Sequence, residues 1–218
     1  MALQDNVDDV FLSYNNSLIR QGDVNLLRGP YWLNDTIIGF YFEFLEDKYE
    51  ALMPEALFVC PELTQLLKVT ASNEYSALLD PIKAKEKNWI FFPLNDCSSL
   101  ERPGGTHWSL LVFSKVEKSC FHYDSSRGLN TSIAKDLSKK IMHYLLGNSD
   151  GNFIEIDCPQ QDNSYDCGLF VLYFADNIPI HIQKKLKISF DFEFIQEEIS
   201  YFRTVLLILV QKLKYQQL

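Results

Sequence analysis

One of the five cysteines in this chain stands in surroundings that suit a nucleophile. The polar loop Pro159 to Asp166 leads into Cys167, and the apolar run Leu169 to Phe174 follows. This run fits a strand or a helix by pattern alone, and its start after Gly168 favours a buried helix. Cys167 then lies at a helix N-terminus, where free backbone N–H groups and the positive end of the helix dipole stabilise a thiolate. Gly168 leaves room beside the sulfur for a substrate carbonyl. An unreactive thiol is the alternative.

The remaining cysteines and most histidines are expected to play structural roles. Four cysteines are expected to be buried small hydrophobic side chains: Cys60, Cys97, Cys120 and Cys158. Three histidines are expected to be ordinary core or surface side chains: His122, His143 and His181. No two cysteines form a Cys-x-x-Cys pair, so we expect no structural zinc site.

A thiolate nucleophile needs a base and a group that orients the base. His107 begins one predicted strand, Asp124 ends the next, and the polar residues Ser114 to Ser119 turn the chain between them. If His107 lies opposite Asp124, the hairpin turns between Lys115 and Val116, inside that polar segment. Opposed Cβ atoms are ~5 Å apart, which lets the two side chains form a hydrogen bond. The alternative is an exposed ion pair across the hairpin.

Gln161 lies in the same polar loop that ends at Cys167. Its side-chain amide is suited to donate a hydrogen bond to the oxygen that becomes negative when a thiolate attacks a carbonyl. The alternative is a solvated loop glutamine with no part in the chemistry.

The elements that must position these residues alternate irregularly between helix and strand, which predicts an α+β fold in a single domain over residues 1–218. The first strong helix opens at Asn34 or Asp35, either of which can cap it. The other predicted helices are Pro61–Leu67, Thr131–Leu146 with Gly147 as its stop, Leu169–Phe174 and Phe194–Leu213. The predicted strands are Trp89–Phe92, His107–Phe113, Cys120–Asp124 and Phe153–Ile156. The stretch Ser98 to Gly105 is predicted to be a mobile loop.

Composition excludes several classes of function. Hydrophobic residues make up 47% of the 218 residues, so the chain is not disordered. The formal net charge of −9 argues against a nucleic-acid backbone as partner and suits a cationic or neutral protein. No apolar run approaches the ~20 residues that cross a bilayer, and the first residues do not resemble a signal peptide. We therefore expect the protein in the cytoplasm or nucleus, without a membrane partner.

Four motifs occur in order along the chain: Trp32-Leu33-Asn34-Asp35, Gly105-Thr106-His107-Trp108-Ser109, His122-Tyr123-Asp124-Ser125, and Pro159-Gln160-Gln161 followed by Asn163 and Asp166-Cys167-Gly168. With His, Asp and Cys in this order and Gln shortly before the Cys, the chain resembles the ubiquitin-like-protein proteases of the sentrin-specific and adenain-like group. Within the group it is most similar to the deneddylase branch, although Asp162 departs from the expected pattern and adds negative charge near the thiol.

This resemblance implies a role for each candidate residue. Cys167 would be the nucleophile, His107 the base that takes its proton, and Asp124 the group that holds the imidazole in the right tautomer. Gln161 would build the oxyanion hole with the backbone N–H of Cys167. The implied fold is the papain-like or adenain-like cysteine protease fold, with a central mixed sheet flanked by helices, and the implied chemistry needs no metal or cofactor.

The resemblance also implies a substrate channel. Trp32 and Trp108 would cover the Gly-Gly tail of a modifier as lid and floor, although core packing is the alternative for both indoles. Asp35 would contact the tail, and the loop Ser98 to Gly105 would close over the bound modifier.

The implied function is a thiol isopeptidase that matures or removes a Nedd-type ubiquitin-like modifier. The implied partners are that modifier and its conjugates, with cullins as the conjugates suggested by the family, and the expected state is a monomer. A SUMO- or ubiquitin-directed protease of the same fold is one alternative. A catalytically silent modifier-binding module and an acyltransferase are the others.

Overall fold

The central sheet contains the hairpin of two strands at whose open end His107 and Asp124 lie. A computed structural model describes residues 6–51, 53–99, 104–147, 151–185, 187–188 and 196–217. Its strands are β1 Val10–Tyr14, β2 Ser17–Arg20, β3 Ala56–Phe58, β4 Trp89–Asn95, β5 Trp108–Ser114, β6 Ser119–Tyr123 and β7 Asn152–Glu155. Its α-helices are α1 Gln21–Leu26, α2 Asp35–Tyr49, α3 Pro61–Val69, α4 Tyr75–Leu79, α5 Thr131–Leu146, α6 Cys167–Lys185 and α7 Gln196–Gln216. Among the described helices, none combines the length and apolarity that crossing a membrane requires.

Five strands form one mixed sheet in the order β3-β4-β5-β6-β7, and β1 and β2 form a separate hairpin. β5 pairs antiparallel with both β4 and β6, whereas β3 and β7 are parallel to their neighbours at the two edges. The predicted fold class, a mixed sheet flanked by helices, is confirmed. The N-terminal hairpin and the short helix α1 were not predicted.

Helices cover both faces of this sheet, so the three central strands are buried on both sides. Alternate residues of a strand point to opposite faces. Leu110 and Val112 of β5 therefore pack in a core with α2, α6 and α7, while Leu111 and Phe113 pack in a second core with α3, α4 and α5. This double burial holds the ends of β5 and β6, where the candidate residues lie, on a rigid support.

The predicted helix boundaries are largely confirmed, and the side chains explain them. Asn34 caps α2, because its Oδ1 accepts a hydrogen bond from the backbone N–H of Ile37 at 3.1 Å. Gly147 ends α5 in the left-handed conformation at φ 74°, which a glycine adopts without strain. The run after Cys167 is a helix, as predicted, and continues well beyond Phe174 to Lys185.

The predicted register of the β5–β6 hairpin was wrong by two positions. Ser114 pairs with Ser119 and Leu110 with Tyr123, so the turn is centred between Val116 and Glu117. The tight turn explains the shift, because Lys118 adopts the left-handed conformation at φ 48° and its N–H bonds to the carbonyl of Lys115. Side chains alternate with period two, so a shift of two leaves every residue on its predicted face.

The expectation for the structural cysteines was correct for two and wrong for two. Cys120 and Cys158 are buried, but Cys60 is exposed and Cys97 is half-buried. Cys60 is the residue that precedes the first turn of α3, and Cys97 follows the end of β4, so each lies where an element meets solvent. Residues 100–103 of the predicted loop and the predicted helix start at Phe194 lie outside the described residues.

Candidate active site

His107 and Asp124 form a direct buried contact at one end of the β5–β6 hairpin. His107 Nε2 lies 2.6 Å from Asp124 Oδ1, and the two residues are 3% and 2% exposed. Because of the shifted register they are diagonal neighbours, one residue before β5 and one after β6, and no longer directly opposed. Diagonal side chains on one face are still close enough for long side chains to meet. The exposed ion pair considered as the alternative is therefore excluded.

The surroundings favour the charged form of both side chains. Burial raises the pKa of Asp124, but hydrogen bonds from His107 and from the backbone N–H groups of Asn130 and Ser126 outweigh it, and the pKa lies below its usual value. Burial likewise opposes charge on His107, yet hydrogen bonds to Asp124 and Cys167 raise its pKa to about 9. Near neutral pH, a carboxylate therefore faces an imidazolium.

Cys167 is the first residue of α6 and is 2% exposed. Its side chain interacts with the His107 ring and helps raise the pKa of that imidazole, and because Nε2 of the ring contacts Asp124, Nδ1 is the nitrogen left for the thiol. The helix start packs closely against the chain before α2, since a Cβ on Gly168 would lie 3.0 Å from Leu33 Cβ. This close approach explains Gly168, for which the sequence suggested space for a substrate carbonyl.

The loop before Cys167 is held by hydrogen bonds at several points. Asn163 Oδ1 accepts from the backbone N–H groups of Tyr165 and Asp166, each at 3.0 Å. Arg203 of α7 donates to Asp166 Oδ1 at 2.6 Å and to the carbonyl of Tyr31 at 3.0 Å. The terminal helix thus ties the residue before Cys167 to the segment before Trp32. Sequence reasoning missed Arg203, because nothing in the pattern of an amphipathic helix singles out one arginine.

Gln161 is fixed at both ends of its side-chain amide. Its Oε1 accepts a hydrogen bond from Ser125 Oγ at 2.7 Å, and its Nε2 donates to the carbonyl of Asn163 at 2.6 Å. An amide nitrogen carries two hydrogens, so one donor of Gln161 is left for a further acceptor. The contact with Ser125, which follows Asp124, joins the Gln161 loop to the end of β6.

A cleft of about 410 Å³ reaches the thiol. Its lining includes all three residues predicted to bind substrate, Trp32, Asp35 and Trp108, together with Cys167. Trp32 is 48% exposed and its Nε1 donates to the carbonyl of Ser164. Trp108 is buried, and its Nε1 donates to the carbonyl of Leu33 at 3.2 Å. The two indoles therefore line one cleft, one at the surface and one at depth.

Two further groups shape the walls of this cleft. Asp35, the first residue of α2, is exposed, and partial desolvation of its carboxyl together with the nearby Glu62 raises its pKa. Gly105 has φ 91°, and a Cβ there would lie 1.8 Å from Asn95 Oδ1, so only glycine fits. Gly105 also lines the cleft, so the cleft wall at this point is formed by backbone alone.

One cluster of possible metal ligands lies beside this site, formed by His122, Asp124 and Glu155. Both nitrogens of His122 already have partners, Glu155 Oε1 at 2.8 Å and Ser109 Oγ at 2.9 Å. The cluster is therefore a hydrogen-bonded network behind Asp124. A thiol that lines a cleft, with an imidazole beside it and a carboxylate behind the imidazole, is by contrast the constellation of a cysteine peptidase.

Comparison with known proteins agrees with this chemistry. The model of the Ulp1 protease family, C-terminal catalytic domain, matches residues 31–204. The chain belongs to this family and is a cysteine peptidase.

Two relatives illustrate the likeness in sequence. Sentrin-specific protease 8 of Mus musculus is 43% identical over 169 residues, which are 76% of this chain and 76% of that protein. NEDD8-specific protease 1 of Arabidopsis thaliana is 36% identical over 171 residues, or 77% of this chain and 74% of that protein.

A solved structure illustrates the likeness in fold. The C-terminal Ulp1 protease domain in complex with SMT3, the yeast ortholog of SUMO, superposes with a TM-score of 0.74 at 22% identity. The superposition covers 96% of this chain and 90% of that one. Proteases of this family therefore bind ubiquitin-like modifiers, and the fold is theirs.

Proposed function

We propose that this protein is a deneddylase, which cleaves the bond after the C-terminal glycine of NEDD8 in precursors and conjugates. The observation that carries the proposal is the 43% identity to Sentrin-specific protease 8, supported by the name of the plant relative, NEDD8-specific protease 1. The cleft supports it as well, because it runs between two indoles and reaches Cys167.

In the proposed reaction, the thiolate of Cys167 attacks the carbonyl carbon of the terminal glycine. The carbonyl oxygen becomes negative and accepts hydrogen bonds from the Cys167 backbone N–H and the free N–H of Gln161. His107, protonated near neutrality, gives its Nδ1 proton to the leaving amine as the C–N bond breaks, and a thioester remains. Water then attacks the thioester carbon as His107 takes one of its protons, the C–S bond breaks to regenerate the thiolate, and the glycine carboxyl releases its remaining proton to solvent. Asp124 holds the ring throughout.

The two indoles account for the proposed preference for a glycine tail. A channel with Trp32 at its mouth and Trp108 at its base admits a chain without side chains and rejects larger residues. Asp35 lines the same cleft and is placed to contact the tail. The net charge of −9 suits a modifier or a conjugate with a basic surface.

The partners in the cell are part of the proposal. Cullin conjugates are the proposed natural substrates, the enzyme acts as a monomer, and it works in the cytoplasm, the nucleus or both. These points rest on the resemblance to the family and on the composition of the chain.

The experiment compares three fusions that carry a reporter after the terminal glycine of NEDD8, SUMO or ubiquitin. We expect the highest kcat/KM for NEDD8, and no turnover by the Cys167→Ala variant with any fusion. Cys120→Ala is the matched control, since that buried thiol packs against α5 in the second core and should retain activity. A preference for SUMO would instead favour the alternative suggested by the SMT3 complex.

A thiol-reactive modifier probe distinguishes an enzyme from a silent binding module. The proposed function requires a covalent adduct with Cys167 that the Ala variant does not form. Binding without an adduct, or normal turnover by Cys167→Ala, would contradict the assignment.

A further inference from the structure

A buried polar network lies directly behind the carboxylate of Asp124. Asn130 and His122 are 0% exposed and Ser109 is 1% exposed, in a region where the strands are otherwise apolar. None of the three takes part in the reaction described above. Polar side chains at such depth cost free energy unless hydrogen bonds satisfy them, so the bonds they make are informative.

Asn130 connects Asp124 to two strands of the sheet. Its backbone N–H donates to Asp124 Oδ2 at 3.1 Å. Its side-chain Nδ2 donates to Ser109 Oγ of β5 at 3.0 Å and to the carbonyl of Leu94 of β4 at 3.3 Å. The turn that follows β6 is thereby fixed to β4 and β5, and one oxygen of Asp124 is held while the other faces His107.

The far side of the network supports Ser109. The hydroxyl of Ser109 contacts His122 Nε2 at 2.9 Å, and His122 Nδ1 contacts Glu155 Oε1 at 2.8 Å. The Glu155 side chain is 31% exposed, so the network runs from the surface at β7 to the turn after β6. Each side chain limits the rotation of the next one.

The amide oxygen of Asn130 also indicates that the hydrogen bonds of the amide nitrogen are what this residue supplies. Its Oδ1 is buried and has no hydrogen-bond partner. An unpaired buried oxygen destabilises the fold, and a small apolar side chain would avoid that cost. The side chain of Asn130 therefore stabilises the structure here through its two Nδ2 hydrogen bonds, to Ser109 and to the carbonyl of Leu94.

We propose that Asn130 is a positioning residue, whose side chain holds the turn after β6 so that the Asp124 carboxylate faces the His107 imidazole. Ser109 and His122 keep the Asn130 amide in place. The proposal deepens the proposed function, since it rests on the assignment of Asp124 and His107 as a catalytic pair.

The test compares Asn130→Ala and Ser109→Ala with the wild type. A misplacement on the scale of 1 Å costs up to ~10²-fold in rate, so we expect kcat of Asn130→Ala to fall by about 10- to 100-fold and that of Ser109→Ala by a few-fold. KM for the NEDD8 fusion should stay within about two-fold, because the cleft residues are untouched. Ser138→Ala is the matched control, a fully buried serine whose hydroxyl donates only within α5.

A second readout separates positioning from a general loss of structure. The described ionisable side chains that face the His107 imidazole are Asp124 and Cys167. Weaker contact with Asp124 lowers the pKa of His107, so the pH titration of the His107 ring, followed by NMR of its imidazole nitrogens, should move to lower pH in both variants. Ser138→Ala should leave it in place.

The possible results separate the proposed function from the positioning role of Asn130. A wild-type protein that cleaves no modifier fusion contradicts the proposed function, while the His107 titrations still decide the role of Asn130. Unchanged kcat and an unchanged His107 titration in Asn130→Ala overturn the positioning role. A fall in kcat without a shift of the His107 titration also overturns it. If Asn130→Ala does not fold, the same two measurements on Ser109→Ala decide the question.

Discussion

The contact between His107 and Asp124 predicts how both activity and stability change with pH, and Asp124→Asn tests it. Burial lowers the pKa of His107 but hydrogen bonds to Asp124 and Cys167 raise it, from 6.5 to about 9 in the folded protein. A shift of this size corresponds to about 3 kcal/mol, at roughly 1.4 kcal/mol per pH unit. Below pH 6.5 the ring is protonated in the folded and unfolded chains alike, and this stabilisation is fully present. It is lost as the pH rises from 6.5 through about 9.

Two measurements follow from this for the wild type. The free energy of unfolding from urea denaturation should fall by up to about 3 kcal/mol between pH 6.5 and pH 9 because of this group. The kcat/KM for a NEDD8 fusion should show an alkaline limb near pH 9, where His107 loses the proton that it delivers to the leaving amine.

Asp124→Asn keeps the shape of the side chain and removes its charge. The alkaline limb should move to lower pH, the decline of the unfolding free energy should become smaller, and kcat should fall by roughly 10²- to 10⁴-fold. Asp136→Asn is the matched control, an exposed aspartate on α5. An alkaline limb that stays near pH 9 in Asp124→Asn would refute the reasoning, and so would a wild-type stability that rises over this interval.

Three further predictions concern the surroundings of the thiol. Gln161→Ala should lower kcat by roughly 10²- to 10³-fold with little change in modifier affinity, whereas weaker binding at unchanged kcat would indicate a substrate contact. Trp108→Ala should reduce both modifier binding and kcat, because Trp108 follows His107. Trp32→Ala should mainly reduce modifier binding. If both variants show only a lowered melting temperature and unchanged kinetics, the two indoles are not part of the site. Arg203→Ala breaks an ion pair with Asp166 whose side chains are 12% and 14% exposed, at a cost of about 3 kcal/mol, so Tm should fall by roughly 10 °C. A Tm within about two degrees of the wild type would show that the ion pair contributes little.

The sequence predicted the candidate site better than it predicted the geometry around it. The expected hairpin register was wrong by two residues, yet His107 and Asp124 are in contact. The reason is the period of a strand, because an error of two keeps both side chains on one face. An error of one would have placed them on opposite faces. The observed turn, centred between Val116 and Glu117, lies inside the polar segment Ser114 to Ser119 and one residue from the centre expected for directly opposed His107 and Asp124.

Local sequence patterns do not predict contacts between residues that are distant in the chain. Asn130 directly precedes α5, and only the fold shows that its amide reaches β4 and β5. Gly168 looked like space for a substrate, but its neighbour is Leu33, far away in sequence. The periodicity of hydrophobic residues shows which face of a helix or strand is apolar. The partners of Asn130 and Gly168 depend instead on how the helices and strands pack together.

The segment Trp32 to Asn34 joins the cleft, the nucleophile and α2. Trp32 Nε1 bonds to the carbonyl of Ser164 in the nucleophile loop, the carbonyl of Leu33 accepts from Trp108 Nε1, and the Leu33 side chain packs on Gly168. Asn34 caps α2 in the same stretch. In the proposed complex, a tail between the two indoles contacts the segment that packs on the first turn of α6. Because a closely packed interior resists independent movement of its parts, we expect tail binding to affect the placement of Cys167 through Leu33 and Gly168.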